Sequence, residues 1–130
     1  MSHEILEPAG WLRPRGYSNG IAASGRQVFV SGQIGWDAGG RIVSDDFAAQ
    51  VRQALFNIVA VLGAAGAKPE QLVRLTWYVT DRDEYVASLG AIGAAYREII
   101  GRHYPAMSVV QVAALVEPRA KVEIEATAVI

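Results

Sequence analysis

The sequence contains no cysteine and only two histidines. The first absence excludes disulfides, thiolate nucleophiles and thiolate metal sites together. His3 and His103 stand at opposite ends of the chain with no ligand spacing around them, so no metal is expected. Positive charge is not in excess: 12 Lys and Arg face 13 Asp and Glu, a net charge of −1. The basic residues are scattered rather than gathered into a stripe, which argues against a nucleic-acid partner. No apolar stretch approaches the roughly 18 residues that cross a bilayer, so no membrane association is expected. The opening Met-Ser-His-Glu lacks the basic segment and apolar run of a signal peptide. A soluble, cytoplasmic protein is the expectation.

What is present is enough apolar material for a packed core. At 52% hydrophobic and 19% charged, the 130 residues are expected to form one domain spanning 1–130. Pro8, Gly10, Pro14 and Gly16 break any period in residues 1–16, which read as irregular. Short apolar runs at 20–24 and 27–31 flank Ser24-Gly25-Arg26 and predict a β-hairpin. Ser44, Asp45 and Asp46 offer caps for a first helix, where Phe47, Val51, Leu55, Ile58 and Leu62 recur at helical spacing until Gly63 and Gly66.

Residues 72–80 alternate as a strand, with Val73, Leu75, Trp77 and Val79 on one face and Arg74, Thr76, Tyr78 and Thr80 on the other. A second helix follows Asp81 and Asp83, carries Tyr85, Leu89, Ile92, Tyr96 and Ile99, and stops at His103-Tyr104-Pro105. Strands at 108–115 and 121–130 close the chain. In the last, Val122, Ile124, Ala126 and Ala128 oppose Glu123, Glu125 and Thr127. The order β-β-α-β-α-β-β predicts an α+β fold, a mixed, mostly antiparallel sheet with two helices on one face. Its other face would carry Tyr78, Val110, Val112 and Val129, apolar enough that an oligomer is expected.

Several motifs, in order, resemble the YjgF/RidA family. They are Gly16-Tyr17-Ser18-Asn19-Gly20, the strand Val28-Phe29-Val30-Ser31-Gly32-Gln33-Ile34, the Gln50 to Asn57 and Ala65-Gly66 pattern, and the closing Val122-Glu123-Ile124-Glu125-Ala126-Thr127-Ala128-Val129. The resemblance runs from about residue 16 to 130. It implies a homotrimer of chorismate-mutase-like subunits with small-molecule clefts between them, and cofactor-free hydrolysis of reactive enamines and imines such as 2-aminoacrylate. Some relatives are instead named endoribonucleases or translation inhibitors. One departure bears on chemistry. Active deaminases carry Pro-Ala-Arg at the start of the strand after the second helix, where this chain has Pro105-Ala106-Met107. Methionine cannot make the arginine's bidentate contact with a substrate carboxylate. Leu89 stands near the place of an asparagine often found in the second helix.

The resemblance gives Glu123 the role of holding the attacking water and Tyr17 that of orienting substrate. Each has a plain alternative, a solvated strand carboxylate and a half-buried tyrosine. Ser31, Gly32 and Gln33 end a buried strand where glycine allows close approach by a ligand. Ser31 lacks a His/Asp pair for nucleophilic catalysis. Met107 either lines an apolar cleft or fills core. Arg15, with Arg13, offers a displaced positive charge or is simply solvated. Glu125 reads as structural or exposed. Two functions therefore compete, a hydrolase of C=N or enamine bonds acting on something other than the usual 2-iminopropionate, and a non-catalytic binding trimer. RNA cleavage lacks a basic stripe, a histidine pair and a stacking platform.

Overall fold

Asp46 starts the first helix, α1 (Phe47–Ala64), by accepting the Ala49 N–H at 2.9 Å. This is seen in a computed structural model that describes residues 3–130. The expected stripe of Phe47, Val51, Leu55, Ile58 and Leu62 is buried. After the cap residue Ala65, Gly66 takes a left-handed φ of +75°, and the Ala67 N–H returns to the Leu62 carbonyl at 2.9 Å. With 18 residues and a mean hydropathy of 1.3, α1 does match a membrane span by length and composition, contrary to the expectation that no segment would. The match arises because α1 is a core helix: its apolar stripe packs against the sheet and against a second helix in the chain.

Among the described residues, six strands form two sheets. β1 (Glu4–Leu6) and β2 (Gly20–Ala22) pair with each other. β3 (Gln27–Gln33), β4 (Leu72–Val79), β5 (Ala106–Gln111) and β6 (Val122–Val129) form the main sheet in the order β3-β6-β4-β5. Within the main sheet β4 and β5 run parallel, and the other pairs are antiparallel. The crossover between β4 and β5 holds α2 (Arg82–Ala87) and α3 (Leu89–Ile99), since a parallel pair needs a long connection. Leu72, Leu75, Trp77 and Val79 of β4 join Val122, Ile124, Ala126 and Ala128 of β6 against α1 to make the core. The α+β class, the mostly antiparallel sheet and the two main helices are as expected.

Several details differ from expectation. The hairpin at 20–24 and 27–31 does not form, because the end of the chain takes the place of the hairpin partner. Arg26 and Ile130 exchange both backbone hydrogen bonds at 2.8 Å. Gly25, at φ +143°, lets the chain cross there; a Cβ would lie 2.3 Å from the Ile130 carbonyl oxygen. β2 pairs instead with β1, inside the segment expected to be irregular, whose residues 1 and 2 lie outside the described ones. A bulge at Val73 sets two residues of β4 against one of β6, so Leu72 rather than Val73 shares the inward face. The second helix divides at Ser88 into α2 and α3, near two weak helix formers, Ser88 and Gly90. β5 starts two residues early and ends at Gln111, whose side chain accepts the Arg82 N–H at 2.7 Å, leaving Val112 past the strand. Val129 is only 7% exposed where the N-terminal segment crosses it; His3 Nε2 lies 3.0 Å from its carbonyl oxygen.

Candidate functional site

The Gln50 and Asn57 pattern becomes intelligible as a pair of clamps on α1. The fully buried Gln50 donates through Nε2 to the Ser44 carbonyl at 2.8 Å and the Arg119 carbonyl at 3.0 Å, and accepts the Lys121 N–H at 2.8 Å. Asn57 donates to the carbonyls of Trp36 at 2.9 Å and Ile34 at 3.3 Å. The helix thereby holds the loop after β3 and the loop before β6, and Glu123 lies between them.

β3 bulges between Val30 and Gln33. Gly32 sits in that bulge, and the Glu123 carboxylate fills the space a side chain would need. A Cβ on Gly32 would lie 2.0 Å from Glu123 Oε2. The two residues, with Ile34, Trp36, Val116 and Glu117, line a cavity of about 240 Å³. Gln33 turns back on the bulge, donating to the Ser31 carbonyl at 3.2 Å. Ser31 belongs to a separate, shallow concavity on the outer sheet face with Phe29, Arg74 and Thr127. Glu125 accepts the Tyr78 hydroxyl at 2.7 Å, and this bond to a carboxylate holds the phenol above its ordinary pKa.

A second cluster forms at the other end of the sheet. The Ser18 N–H donates to the Pro105 carbonyl at 3.1 Å and its hydroxyl to the Tyr104 carbonyl at 2.5 Å, which fixes the Arg15 to Tyr17 segment beside the start of β5. A cavity of about 320 Å³ lies here, lined by Arg15, Gly16, Trp77, Tyr85, Tyr96, Arg97, Tyr104 and Met107 among others. Tyr17 itself is 42% exposed. Tyr96 and Tyr104 stack with centroids 5.3 Å apart, and the Tyr96 hydroxyl donates to the His103 carbonyl at 2.6 Å. Burial pushes the Tyr96 phenol well above its ordinary pKa.

These two clusters are not one site within the chain. Glu123 pairs with Tyr78 on the outer face, while Met107 pairs with the inward Leu75 and faces the helices. A cleft containing both therefore does not form in a single subunit. The chain brings Met107 and Arg15 together, with Tyr17 adjacent, and separately brings Gly32 to Glu123. Arg13 lies in neither cluster, lining a small concavity with Trp11 and Asn19. Sequence reasoning missed Trp36, Val116 and Glu117 on one side and Trp77, Tyr104 and Arg97 on the other. Among the described residues no cluster of His, Cys, Asp or Glu has the makings of a metal site.

The family model described as Endoribonuclease L-PSP matches residues 12–130. The 2-iminobutanoate/2-iminopropanoate deaminase of Salmonella typhimurium is 38% identical over 108 residues, covering 81% of this chain and 80% of that protein. The human protein of the same name is 32% identical over 114 residues, covering 87% and 79%. Among solved structures, YyfB of the conserved Rid protein family from Yersinia pestis superposes with a TM-score of 0.88 at 35% identity over 100% of both chains. Matched along nearly its whole length, the chain belongs to the endoribonuclease L-PSP family, also known as YjgF/RidA.

Proposed function

We propose that the chain hydrolyses a reactive imine or enamine to a carbonyl compound and ammonia, in clefts completed between the subunits of a homotrimer. The observation that carries this reading is the Glu123 carboxylate, lodged against Gly32 at the edge of a cavity. A carboxylate so held accepts a hydrogen bond from water and directs its oxygen at the C=N carbon. Water adds across the double bond, the C–N bond then breaks, and ammonia leaves as the new C=O forms. The water oxygen stays on carbon and both its hydrogens leave on nitrogen. The nucleophile is water, so the step calls on no cofactor. Tyr17 orients the substrate, the Ser31-Gly32-Gln33 bulge gives backbone room for it, and Met107 with Arg15 forms the opposite wall.

Two relatives named for imine deamination support the chemistry. The division of the site supports the assembly, since Glu123 and Met107 leave the sheet on opposite faces and a neighbouring subunit must join them. With Met107 in place of a carboxylate-gripping arginine, we take the substrate to be other than 2-iminopropionate or 2-aminoacrylate.

Imine decay measured with and without the protein, in a coupled system generating the imine from an amino acid, tests the reading. The wild-type chain should accelerate decay, and Glu123→Gln should bind the product acid but lose turnover. Full activity in Glu123→Gln would sink it. The same Met107 favours a second reading, a trimer that binds a small molecule without turning it over, in which case the wild-type protein accelerates no imine.

A further inference from the structure

We infer that the cavity beside Met107 takes a carboxylic acid bearing an aromatic ring, and that Arg97 of α3 grips its carboxylate in place of an arginine on β5. As a statement about substrate, an aryl-bearing 2-imino acid, this rests on the hydrolase reading; as a statement about binding, it does not.

The lining argues for a ring. Trp77, Tyr85, Tyr96 and Tyr104 supply four aromatic surfaces, and Met107 adds a polarizable thioether suited to aromatic contact. At about 320 Å³ the cavity lies within the roughly 300–1,000 Å³ usual for small-molecule sites. A two-carbon side chain would leave most of that surface uncovered.

The charge argues for an acid. No Asp or Glu lines the cavity, while Arg15 and Arg97 both do. The Arg97 guanidinium folds back one helical turn over Gly93, so that a Cβ there would lie 3.2 Å from Nη1. Arg52, Arg82, Arg119 and Lys121 have carboxylate partners, but Arg97 and Arg15 have none among the described residues. A planar guanidinium with free donors beside aromatic walls matches a carboxylate on a ring-bearing molecule.

Titration of the whole protein with phenylpyruvate and with pyruvate, stable keto acids that differ by the ring, tests this by calorimetry. Phenylpyruvate should bind at least about tenfold more tightly, as burying a ring side chain implies. Arg97→Met should weaken phenylpyruvate about 10- to 100-fold, as loss of a charged hydrogen-bonded contact does. Gly93→Ala keeps Arg97 but crowds its guanidinium, and should weaken the same ligand without harming the fold. Equal affinity for the two acids, or unchanged phenylpyruvate binding in both variants, overturns the inference. The stated preference in a protein that hydrolyses no imine upholds the pocket and overturns only the hydrolase reading.

Discussion

At the scale of single residues, the contact between Gly32 and Glu123 makes two positions depend on one another. A methyl group on residue 32 has nowhere to go while the carboxylate is in place. Gly32→Ala should therefore cost about 1–3 kcal/mol of stability, the usual range for overpacking, and remove turnover by displacing Glu123. In a Glu123→Ala background the same substitution should be nearly neutral, so a double-mutant cycle by denaturant unfolding should return a coupling of similar size. Additive effects would mean the carboxylate moves aside freely. Gln50 is a different kind of residue: its three hydrogen bonds are all structural. Gln50→Leu leaves two carbonyls and an N–H unpaired and should cost about 2–4 kcal/mol in thermal or denaturant unfolding, at roughly 1–3 per buried group with partial relaxation. Met107 bears on specificity. With the grip moved from β5 to Arg97 of α3, an imino acid too small to span the cavity is held less well, so 2-iminopropionate hydrolysis should be slower by about 30-fold to several thousand-fold than in a family member that has the arginine on β5. Parity in the coupled assay would show that Arg97 or Arg15 restores the grip even for a small acid.

At the scale of elements, α3 is the place where stability and binding should separate. Gly93 lies inside that helix, where glycine costs roughly 0.5–1 kcal/mol relative to alanine. Gly93→Ala should raise the melting temperature while it lowers affinity for a ring-bearing acid, an opposite pair of changes that a merely structural glycine would not give. The elements themselves were legible where one local period governed them. The stripe of α1, the alternation of β6 and the Asp46 cap were all visible in sequence, because each depends on residues within a few positions. The hairpin was not, since the partner of β3 is supplied from the far end of the chain, at Ile130. Bulges at Val73 and Gly32 insert a residue without any local mark other than the glycine. The division of the site was hidden by the same kind of error. Parity placed Glu123 outward correctly, but with the strand that became β5 expected only from 108 onward, Met107 had no face at all. The two additional residues of β5 put it inward, away from Glu123.

At the scale of the whole molecule, the outer face of the main sheet is the surface that needs covering. Phe29 is 71% exposed and Val110 44% exposed, and Phe29 flanks a concavity of about 420 Å³ with Arg74, Thr76 and Thr127. Aromatic and aliphatic groups standing this far out of a sheet favour a partner surface. Cyclic closure of a heterologous contact would set the Glu123 side of one subunit against the Met107 side of the next. Sedimentation should then give three times the chain mass of 14.0 kDa, and Phe29→Asp should lower mass and turnover together. A mixing experiment separates shared sites from mere association. Glu123→Gln removes one half-site, and Met107→Trp fills the other; each trimer alone should be inactive. Refolded together in equal amounts, they should recover about a quarter of full activity, because random cyclic mixing unites two intact halves at that frequency. If each site lay within one subunit, every site in the mixture would carry one defect or the other, and no activity would return.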